Sequence, residues 1–267
     1  MAEFSRDLID RSGYERPGFA EGYDRNRPRP PAALLEWLSR YARAERPTLV
    51  VDLGCGTGLS TRAWSGRAER VVGVEPNEAM LAAAEPAPGV EFRHAFAQDT
   101  GLEDGCADIV TCSQSLHWMD PQPTFAEAAR ILRPGGVFAA YDYDWPPVID
   151  PEVDEAFDAY QGRRGELRHT RGIQRGGDRW LKREHLKRMR ESGQFRFCRE
   201  LLFHSVEEGD ADRVVGFAYS LGLPAALDDE ELEKELRVAE LEEVARRVLD
   251  DRTVTFLFGY RVRVGVR

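Results

Sequence analysis

Cysteine is scarce in this chain of 267 residues, and the four that are present form no C-x-x-C pair. No histidine stands near them at the spacing of a zinc site, so we expect neither disulfides nor structural zinc, and free thiols suit a reducing compartment. No apolar run approaches the roughly 18 residues that cross a membrane, and the first residues lack the apolar stretch of a signal peptide. These absences predict a cytoplasmic protein without a metal centre or a membrane partner.

Basic side chains are outnumbered, because 37 Lys and Arg stand against 47 Asp and Glu, for a net charge of −10. This balance repels polyanions at long range, so nucleic acid is not expected as a partner. The charge is uneven: residues 163–190 hold 11 basic and 3 acidic side chains, and residues 228–251 hold 11 acidic and 4 basic ones. The two segments could face each other, or the basic one could be a solvated surface or a lid. As a lid, it would bring Arg175 and Arg179 to a carboxylate or phosphate of a ligand.

Short apolar runs alternate with helical stretches from residue 48 onward. Five strands are predicted at Thr48–Leu53, Arg70–Val74, Val90–His94, Asp108–Cys112 and Gly136–Tyr141. Because most of the connections between them are helical, they predict a parallel sheet with helices on both faces. Thr253–Val266 alternates apolar side chains at period two, which suits an antiparallel strand at or near a sheet edge, with Phe195–Phe203 as its partner.

The pattern as a whole predicts an α/β, Rossmann-like fold: a seven-stranded, mostly parallel sheet with an antiparallel last strand and a helical lid insertion. No internal repeat is visible, which argues against a solenoid. Helices are expected at about 210–222 and 229–249 within the insertion. The predicted organisation is an N-terminal lid segment at 1–32, a core at 33–145, helical insertions with the sixth strand at 146–252, and the last core strand at 253–267.

A glycine-rich turn directly after the first strand is the strongest functional signal, and it reads Asp52-Leu-Gly-Cys-Gly-Thr-Gly58. Glycine lets the backbone pass close to a ligand, and the helix that follows offers free N–H donors. An acid at Asp52 would repel a pyrophosphate and favours a ligand with a cationic group. Glu75 ends the second strand about 20 residues later, where a carboxylate can accept both hydroxyls of a ribose. Alternatively, the glycine-rich turn could be only a tight connection, and Glu75 could be only a solvated strand end.

Three stretches together resemble the class I S-adenosylmethionine-dependent methyltransferases: the glycine-rich turn, Val74-Glu-Pro-Asn-Glu-Ala-Met80, and Arg130-Ile-Leu-Arg-Pro-Gly-Gly136. Two more, Ser115-Leu-His-Trp-Met-Asp120 and Tyr23-Asp-Arg-Asn-Arg-Pro28, are similar to the subgroup of trans-aconitate methyltransferases. The resemblance covers residues 10–145 well and the rest loosely. It implies that the core at 33–145 binds S-adenosylmethionine and releases S-adenosylhomocysteine.

The resemblance also implies the cofactor contacts: Asp52, Gly54, Cys55, Gly56, Gly58, Glu75, Pro76, Met80, Gln98, Asp99 and Ser113. The turn and Asp52 would hold the methionyl part, Glu75 the ribose hydroxyls, and Met80 the adenine ring. The family's acid for the adenine amino group aligns with position 98, where this chain has Gln. Either Gln98 or Asp99 would therefore make that contact.

The acceptor contacts implied are mostly aromatic: Tyr14, Tyr23, Arg27, Trp118, Tyr141 and Trp145. Aromatic rings after the fifth strand could cage a flat or cationic acceptor, or they could pack the lid. His117 is the candidate general base, because a His near its unperturbed pKa suits removal of a proton; packing is the alternative. The sulfonium is already activated, so in-line positioning can supply much of the rate.

A small-molecule methyltransferase is the predicted function, with an acceptor that could be anionic or aromatic. An RNA or protein methyltransferase, reached through the basic segment, is one alternative. A protein of the same fold that binds the cofactor without methyl transfer is another. A nicotinamide-dependent dehydrogenase is disfavoured by Asp52 and by glycine spacing that lacks G-x-x-G, and no hydrolase, metalloprotease or P-loop motif occurs.

Overall fold

The computed structural model describes residues 19–171, 180–221, 230–250 and 252–267, with side chains from residue 22 onward. Its strands are β1 (Leu49–Leu53), β2 (Arg70–Glu75), β3 (Val90–His94), β4 (Ala107–Ser113), β5 (Leu132–Tyr143), β6 (Phe197–Gly209) and β7 (Val254–Val266). Its helices are α1 (Phe19–Asn26), α2 (Ala32–Tyr41), α3 (Leu59–Arg62), α4 (Glu78–Ala82), α5 (Pro121–Ile131), α6 (Pro151–Thr170), α7 (His185–Glu191), α8 (Ala211–Ser220), α9 (Glu230–Leu236) and α10 (Val238–Leu249). Single 3-10 turns lie at Leu116–Trp118 and Lys182–Glu184. Tyr14, Arg175 and Arg179 fall outside the described residues.

The seven strands form one sheet in the order β3-β2-β1-β4-β5-β7-β6. Strands β1 to β5 are parallel, and β7 runs antiparallel between β5 and β6. The predicted α/β sheet with an antiparallel last strand is therefore confirmed, with β7 one place in from the edge. The chain direction across the sheet reverses between β1 and β4, and open α/β sheets bind ligands at the carboxyl ends of the strands beside such a reversal.

Apolar side chains on both faces of the sheet fix the positions of those strand ends. Val50 and Ile109 pack against helices α2, α6, α8 and α10 on one face. Val51 and Val110 point the other way and pack with Phe125 of α5. A sheet with helices on both faces buries apolar side chains on each face. Because this interior is close-packed, the strand ends that carry the loops are held in fixed positions.

Three elements differ by several residues from their predicted bounds, and one of them is β6, which runs over Phe197–Gly209 instead of Phe195–Phe203. The fifth strand was expected to end at Tyr141, but β5 continues to Tyr143 because β7 pairs with it through Tyr260. The helix expected over 229–249 is two helices, α9 and α10, which meet at Arg237 with a φ of 52°. A left-handed residue cannot continue a right-handed helix, so the chain turns there.

The two oppositely charged segments face each other where the structure describes them. Arg163 of α6 lies 3.6 Å from Glu240 of α10, and Arg171 pairs with Glu235 of α9. The Arg163 Nε also donates to the Leu236 carbonyl at 3.0 Å. These contacts join the basic segment to the acidic helices and pair two of its positive charges.

Three observations concern membranes, metals and disulfides. Within the described ranges, no helix combines the length and apolar character needed to cross a membrane. Nor does this part of the chain bring three or more His, Cys, Asp or Glu side chains together in a way that could hold a metal ion. The four cysteines are free thiols, and Cys55 and Cys112 are buried.

A buried ion pair ties β5 to β7 and β6. The Arg263 side chain is 4% exposed, and its Nη1 lies 2.9 Å from Asp142 Oδ2 while its Nε lies 3.0 Å from Glu200 Oε2. Asp142 Oδ1 also accepts from Lys182 Nζ at 2.8 Å. Removing one partner of a buried pair leaves an uncompensated charge in the interior, which costs far more than a surface pair contributes.

We therefore predict that Arg263→Met lowers the free energy of unfolding in urea by about 3 kcal/mol. Arg261→Met is the matched control, because Arg261 lies on the same strand and pairs with Asp144 but is 47% exposed. That control is expected to lose less than about 1 kcal/mol. If both variants lost the same free energy of unfolding, the buried ion pair would stabilise the fold no more than the exposed one.

Candidate active site

A cavity lies over the carboxyl ends of β1, β2, β4 and β5. It holds about 1260 Å³ of empty space, including its mouth, which opens to solvent. One end is bounded by the glycine-rich turn and Glu75, and the other by Tyr23, Arg27 and Tyr143. The two ends are continuous, so one molecule held at the turn could reach another held beside Arg27.

The glycine-rich turn passes under the cavity in the left-handed backbone region, with φ values of 67° at Gly54 and 57° at Gly56. At Gly54 an added Cβ would lie 2.5 Å from Met119 Cε and 2.7 Å from Ser115 Cβ. The bare backbone is therefore required there for the turn to pack under residues 115–119. Gly56 lines the cavity itself, and its lack of a side chain leaves that space open.

Glu75 connects the turn to the start of α4. Its Oε2 accepts the Gly56 N–H at 2.9 Å, and its Oε1 accepts the Asn77 N–H at 3.0 Å. Burial raises the pKa of this carboxyl, and the two backbone N–H donors partly offset the rise. A carboxylate oxygen has more than one acceptor site, so each oxygen can also accept from a ligand hydroxyl. Glu75 lines the cavity and can hold a vicinal diol.

Asp52 is fully buried and does not line the cavity, which corrects its expected role as a cofactor contact. Its oxygens accept from three hydroxyls, those of Ser60 at 2.6 Å, Thr61 at 2.8 Å and Thr111 at 2.7 Å. Burial raises the pKa of this carboxyl, while the three hydroxyl donors lower it. Asp52 therefore holds β1, β4 and α3 together below the turn.

Gly58 is also absent from the cavity wall, contrary to expectation. It caps the start of α3 with a φ of 80°. A Cβ at this position would lie 2.5 Å from the ring of Phe92, so glycine is required for packing against β3. Its role is in the shape of the turn.

Gln98 and Asp99, the two candidates for the adenine contact, lie differently at the far wall of the cofactor end. Gln98 lines the cavity together with Phe96 and Met80, and Asp99 does not. A tight turn explains the difference, since the Asp99 N–H donates to the Phe96 carbonyl at 3.0 Å and directs that residue away. The other expected contacts Cys55, Pro76 and Ser113 also line the wall.

Arg27 is the charged group at the opposite end. It is 8% exposed, and its Nη2 donates to the Ser220 carbonyl at 2.6 Å while its Nη1 donates to the Tyr143 hydroxyl. The guanidinium lies 4.6 Å from the centre of the Tyr23 ring. Tyr23, Arg27 and Trp118, which are expected to contact the acceptor, line the cavity beside Tyr143.

Lys182 reaches this end of the cavity from the segment that follows residue 179. Its Nζ donates to Gln114 Oε1 at 2.5 Å, and Gln114 lines the wall. The Trp180 N–H donates to the His117 carbonyl at 3.0 Å, which docks the same segment on the 3-10 turn. The segment thus fixes the orientation of the Gln114 amide.

Three expected acceptor-side residues lie elsewhere. Tyr141 is 1% exposed and belongs to the core, whereas Tyr143, two residues later on the same face of β5, reaches the wall. His117 is 8% exposed and does not line the cavity; the 3-10 turn places Trp118 on the wall instead, with the two rings 5.5 Å apart. Trp145 is 36% exposed and lies outside the wall.

The Trp145 ring is already surrounded by the protein's own cations. Arg27, Arg164 and Lys182 lie 5.9, 5.6 and 5.4 Å from its centre. An aromatic cage for a cationic acceptor would need that face of the ring. In this structure the ring is already in contact with cations of the chain itself.

Part of the cavity wall belongs to a stretch of the chain that is similar to known proteins. Residues 51–140, which supply the glycine-rich turn, Glu75 and the β4 end, match a family model described as a methyltransferase domain. Residues 51–140 are therefore similar to a methyltransferase domain, and we call this stretch the methyltransferase domain. Domains of this class depend on S-adenosylmethionine.

Individual relatives give the same result. The chain is 30% identical over 146 residues to a yeast protein named "Probable S-adenosylmethionine-dependent methyltransferase CRG1", over 52% of this chain and 49% of that one. It is 39% identical over 115 residues to an uncharacterized methyltransferase of Mycobacterium tuberculosis, over 43% of this chain and 46% of that one. The chain thus matches about half the length of these curated relatives.

A solved structure matches over more of the chain. It is a protein from Anaeromyxobacter dehalogenans assigned as a type II methyltransferase, with a TM-score of 0.68 and 28% identity. The match covers 90% of this chain and 97% of that one. It includes the helical insertion as well as the methyltransferase domain.

The cavity of the methyltransferase domain fits S-adenosylmethionine at the turn. Glu75 retains acceptor capacity for a diol, and Gly56 leaves the space above the turn open. Asn77 lines the wall and is 3% exposed, yet its Nδ2 has no hydrogen-bond partner among the described residues. A buried donor of this kind calls for a partner, and a bound cofactor can provide one.

The sequence reasoning missed several residues of the wall. Gln114 and Tyr143 are the most informative, because each follows or ends a strand at the carboxyl edge of the sheet. That placement is the signal that could have identified them. Asp24, which does not line the wall but accepts a hydrogen bond from the Thr57 hydroxyl, was also missed.

Proposed function

We propose that this protein transfers the methyl group of S-adenosylmethionine to a small anionic acceptor bound beside Arg27. The observation that carries the proposal is the continuity of the cavity between Glu75 and Arg27. A carboxylate suited to a ribose diol stands at one end, and a buried guanidinium stands at the other. Two such ends in one cavity fit a two-substrate transfer between small molecules.

When bound, S-adenosylmethionine supplies an electrophilic methyl group on its sulfonium. The residues of this chain hold the two reactants so that the acceptor atom meets that group in line, and such positioning can contribute about 7–11 kcal/mol to lowering a barrier. Glu75 and the turn fix the cofactor, while Arg27 orients the acceptor. Trp118 and Tyr143 border the space between them and limit the entry of water. Because His117 is not on the wall, the proposal assigns it no proton transfer.

An anionic acceptor follows from the charges around the acceptor end. Arg27 lines the wall, and Arg164 contacts the Trp145 ring next to it. Lys182 contacts the same ring, and its charge is paired with Asp142. A carboxylate or similar group would be attracted by these charges and could bind the guanidinium through paired hydrogen bonds. The subgroup resemblance makes trans-aconitate the first acceptor to test.

A macromolecular acceptor is disfavoured by the charge distribution. The net charge of −10 repels nucleic acid. Arg163 and Arg171 of the basic segment pair with Glu240 and Glu235, so this segment presents less positive charge than its composition indicates. RNA and protein acceptors are nevertheless included as separate arms of the test.

The test measures transfer of a radiolabelled methyl group in the presence of trans-aconitate, benzoate, 4-hydroxybenzoate, tyramine, bulk tRNA or a heat-denatured protein extract. Labelled product with one or more of the carboxylates, and none with tyramine, supports the proposal. Label in tRNA or protein alone would assign the chain to the macromolecular class. Binding of S-adenosylhomocysteine by calorimetry with no labelled product in any arm would support the reading of a cofactor-binding protein.

We predict that Arg27→Gln raises the KM for the best of the three carboxylates by about 10- to 100-fold, because a charge-assisted contact contributes about 1.5–3 kcal/mol. The dissociation constant for S-adenosylhomocysteine should rise by a smaller factor than this KM, because Arg27 lies at the acceptor end of the cavity. Arg29→Gln is the control, since Arg29 is exposed and two residues away. An unchanged KM in Arg27→Gln would remove the anion site from the proposal.

A further inference from the structure

Helix α1 lies between the cofactor end and the acceptor end of the cavity. Tyr23 and Arg27 of this segment line the acceptor end. Asp24, next to Tyr23, faces the glycine-rich turn instead. The helix therefore contacts both halves of the site through neighbouring residues.

On the cofactor side, Asp24, Thr57 and Arg62 form a cluster that we call the Asp24 clasp. The Thr57 hydroxyl donates to Asp24 Oδ1, and Arg62 Nη2 lies 2.5 Å from Asp24 Oδ2. Arg62 Nη1 donates to the Thr57 carbonyl at 2.6 Å, which closes the cluster. The Asp24 and Arg62 side chains are 20% and 14% exposed, so water screens their attraction only partly.

On the other side, α1 rests on α8. A Cβ at Gly216 would lie 2.4 Å from Asn26 Oδ1, so the two helices approach closely there. The Arg27 Nη2 bond to the Ser220 carbonyl at 2.6 Å adds a polar contact to the same helix. Helix α1 is thus held by α8 of the insertion on one flank and by the turn of the methyltransferase domain on the other.

We propose that Asp24 is a positioning residue that couples cofactor binding to the placement of Tyr23 and Arg27. Thr57 belongs to the turn on which the cofactor would lie, between Gly56 and Gly58. Glu75 and the packing of Gly54 under residues 115–119 already hold this turn. A ligand that contacts Gly54 and Gly56 would restrict its remaining backbone freedom. Once the turn is fixed, Thr57 and the nearby Arg62 present a fixed binding site for Asp24, and α1 docks more often.

These contacts imply that the cofactor binds before the acceptor. Cofactor binding stabilises the docked α1, and the docked α1 sets Arg27 against Tyr143 and Ser220 for the acceptor. By thermodynamic linkage, anything that releases α1 must weaken cofactor binding by the same factor. The inference rests on the proposed placement of the cofactor at the turn, although its test needs no acceptor.

Amide hydrogen exchange of peptides covering residues 19–30 tests the coupling, with and without saturating S-adenosylhomocysteine. In the wild type, the ligand is expected to slow exchange of these peptides at least about fivefold, the lower end of ordinary coupling between sites. In Asp24→Ala the slowing should fall below about twofold, and calorimetry should show S-adenosylhomocysteine affinity reduced by a matching factor. Asp24→Asn keeps an acceptor for the Thr57 hydroxyl but loses the charge that faces Arg62. Its slowing of exchange and its affinity should therefore lie between those of wild type and Asp24→Ala.

Arg25→Gln is the matched control, because Arg25 lies on the same helix one residue away and is exposed. It should retain the full protection by the ligand. A merely structural role for Asp24 predicts faster exchange in Asp24→Ala with the same fold-protection by the ligand as in wild type, and that result would overturn the proposal. If calorimetry shows that the wild-type protein binds no S-adenosylhomocysteine, the proposed function is wrong, and the coupling that rests on it is wrong as well.

Discussion

Gly56→Val is expected to abolish measurable binding of S-adenosylhomocysteine, with a loss of more than about 100-fold, or about 2.7 kcal/mol. Gly56 lines the cavity and holds a φ of 57°. An added Cβ would lie 3.2 Å from the Met80 methyl, a flexible group that can move, so the fold should survive. The two further methyl groups of valine would occupy space that the cofactor needs. Isothermal titration calorimetry provides the measurement.

Gly66→Val is the matched control for the strain of a β-branched residue at positive φ. Gly66 has a φ of 75°, is exposed, and an added Cβ there would meet nothing within 4 Å. Both variants carry the same kind of backbone cost, roughly 1–2 kcal/mol. Only Gly56→Val should lose the ligand, so equal loss in both, or unchanged affinity in Gly56→Val, would count against the placement of the cofactor.

Glu75→Gln is the second large effect, an expected rise of roughly 30- to 300-fold in the dissociation constant for S-adenosylhomocysteine, or about 2–3.5 kcal/mol. Glutamine has one carbonyl oxygen where glutamate has two acceptors, so its NH₂ group would face either the Gly56 or the Asn77 N–H. The ribose hydroxyls would also lose a charged acceptor. Glu78→Gln is the control, since the Glu78 side chain is 84% exposed at the start of the next helix.

The pH dependence of binding separates this role from a structural one. Burial raises the pKa of Glu75, so the carboxyl in the free protein takes up a proton at a higher pH than an ordinary glutamate. A protonated carboxyl cannot accept both hydroxyls, so affinity should fall as the pH is lowered from 7 toward about 5. Glu75→Gln should show a flatter profile over that range. Parallel profiles for the two proteins would exclude Glu75 as the titrating group.

The cofactor end of the site could be predicted because its parts are close in sequence and have fixed roles at strand ends. The turn follows β1 directly, and Glu75 is the last residue of β2. Parallel strands bring their carboxyl ends to one edge, so strand assignment alone placed both groups together. Asp52 is the exception: the sequence shows an acid before the turn, but not the three hydroxyls that surround it.

The acceptor end depends on contacts between distant parts of the chain. Arg27 donates to groups 116 and 193 residues away, and no sequence pattern specifies those partners. Tyr141 and Tyr143 share a face of β5, so the residue at the wall depends on where the strand ends, and pairing with β7 sets that end. Pattern reasoning identified the aromatic segment and misjudged which ring reaches the cavity.

A crystal structure of the protein soaked with S-adenosylhomocysteine tests the central placement most directly. We predict ribose hydroxyls within hydrogen-bond distance of both Glu75 oxygens, and the aminoacyl portion over the Gly54–Gly56 backbone. Density for the nucleoside at another place on the molecule, or a ribose turned away from Glu75, would contradict the account.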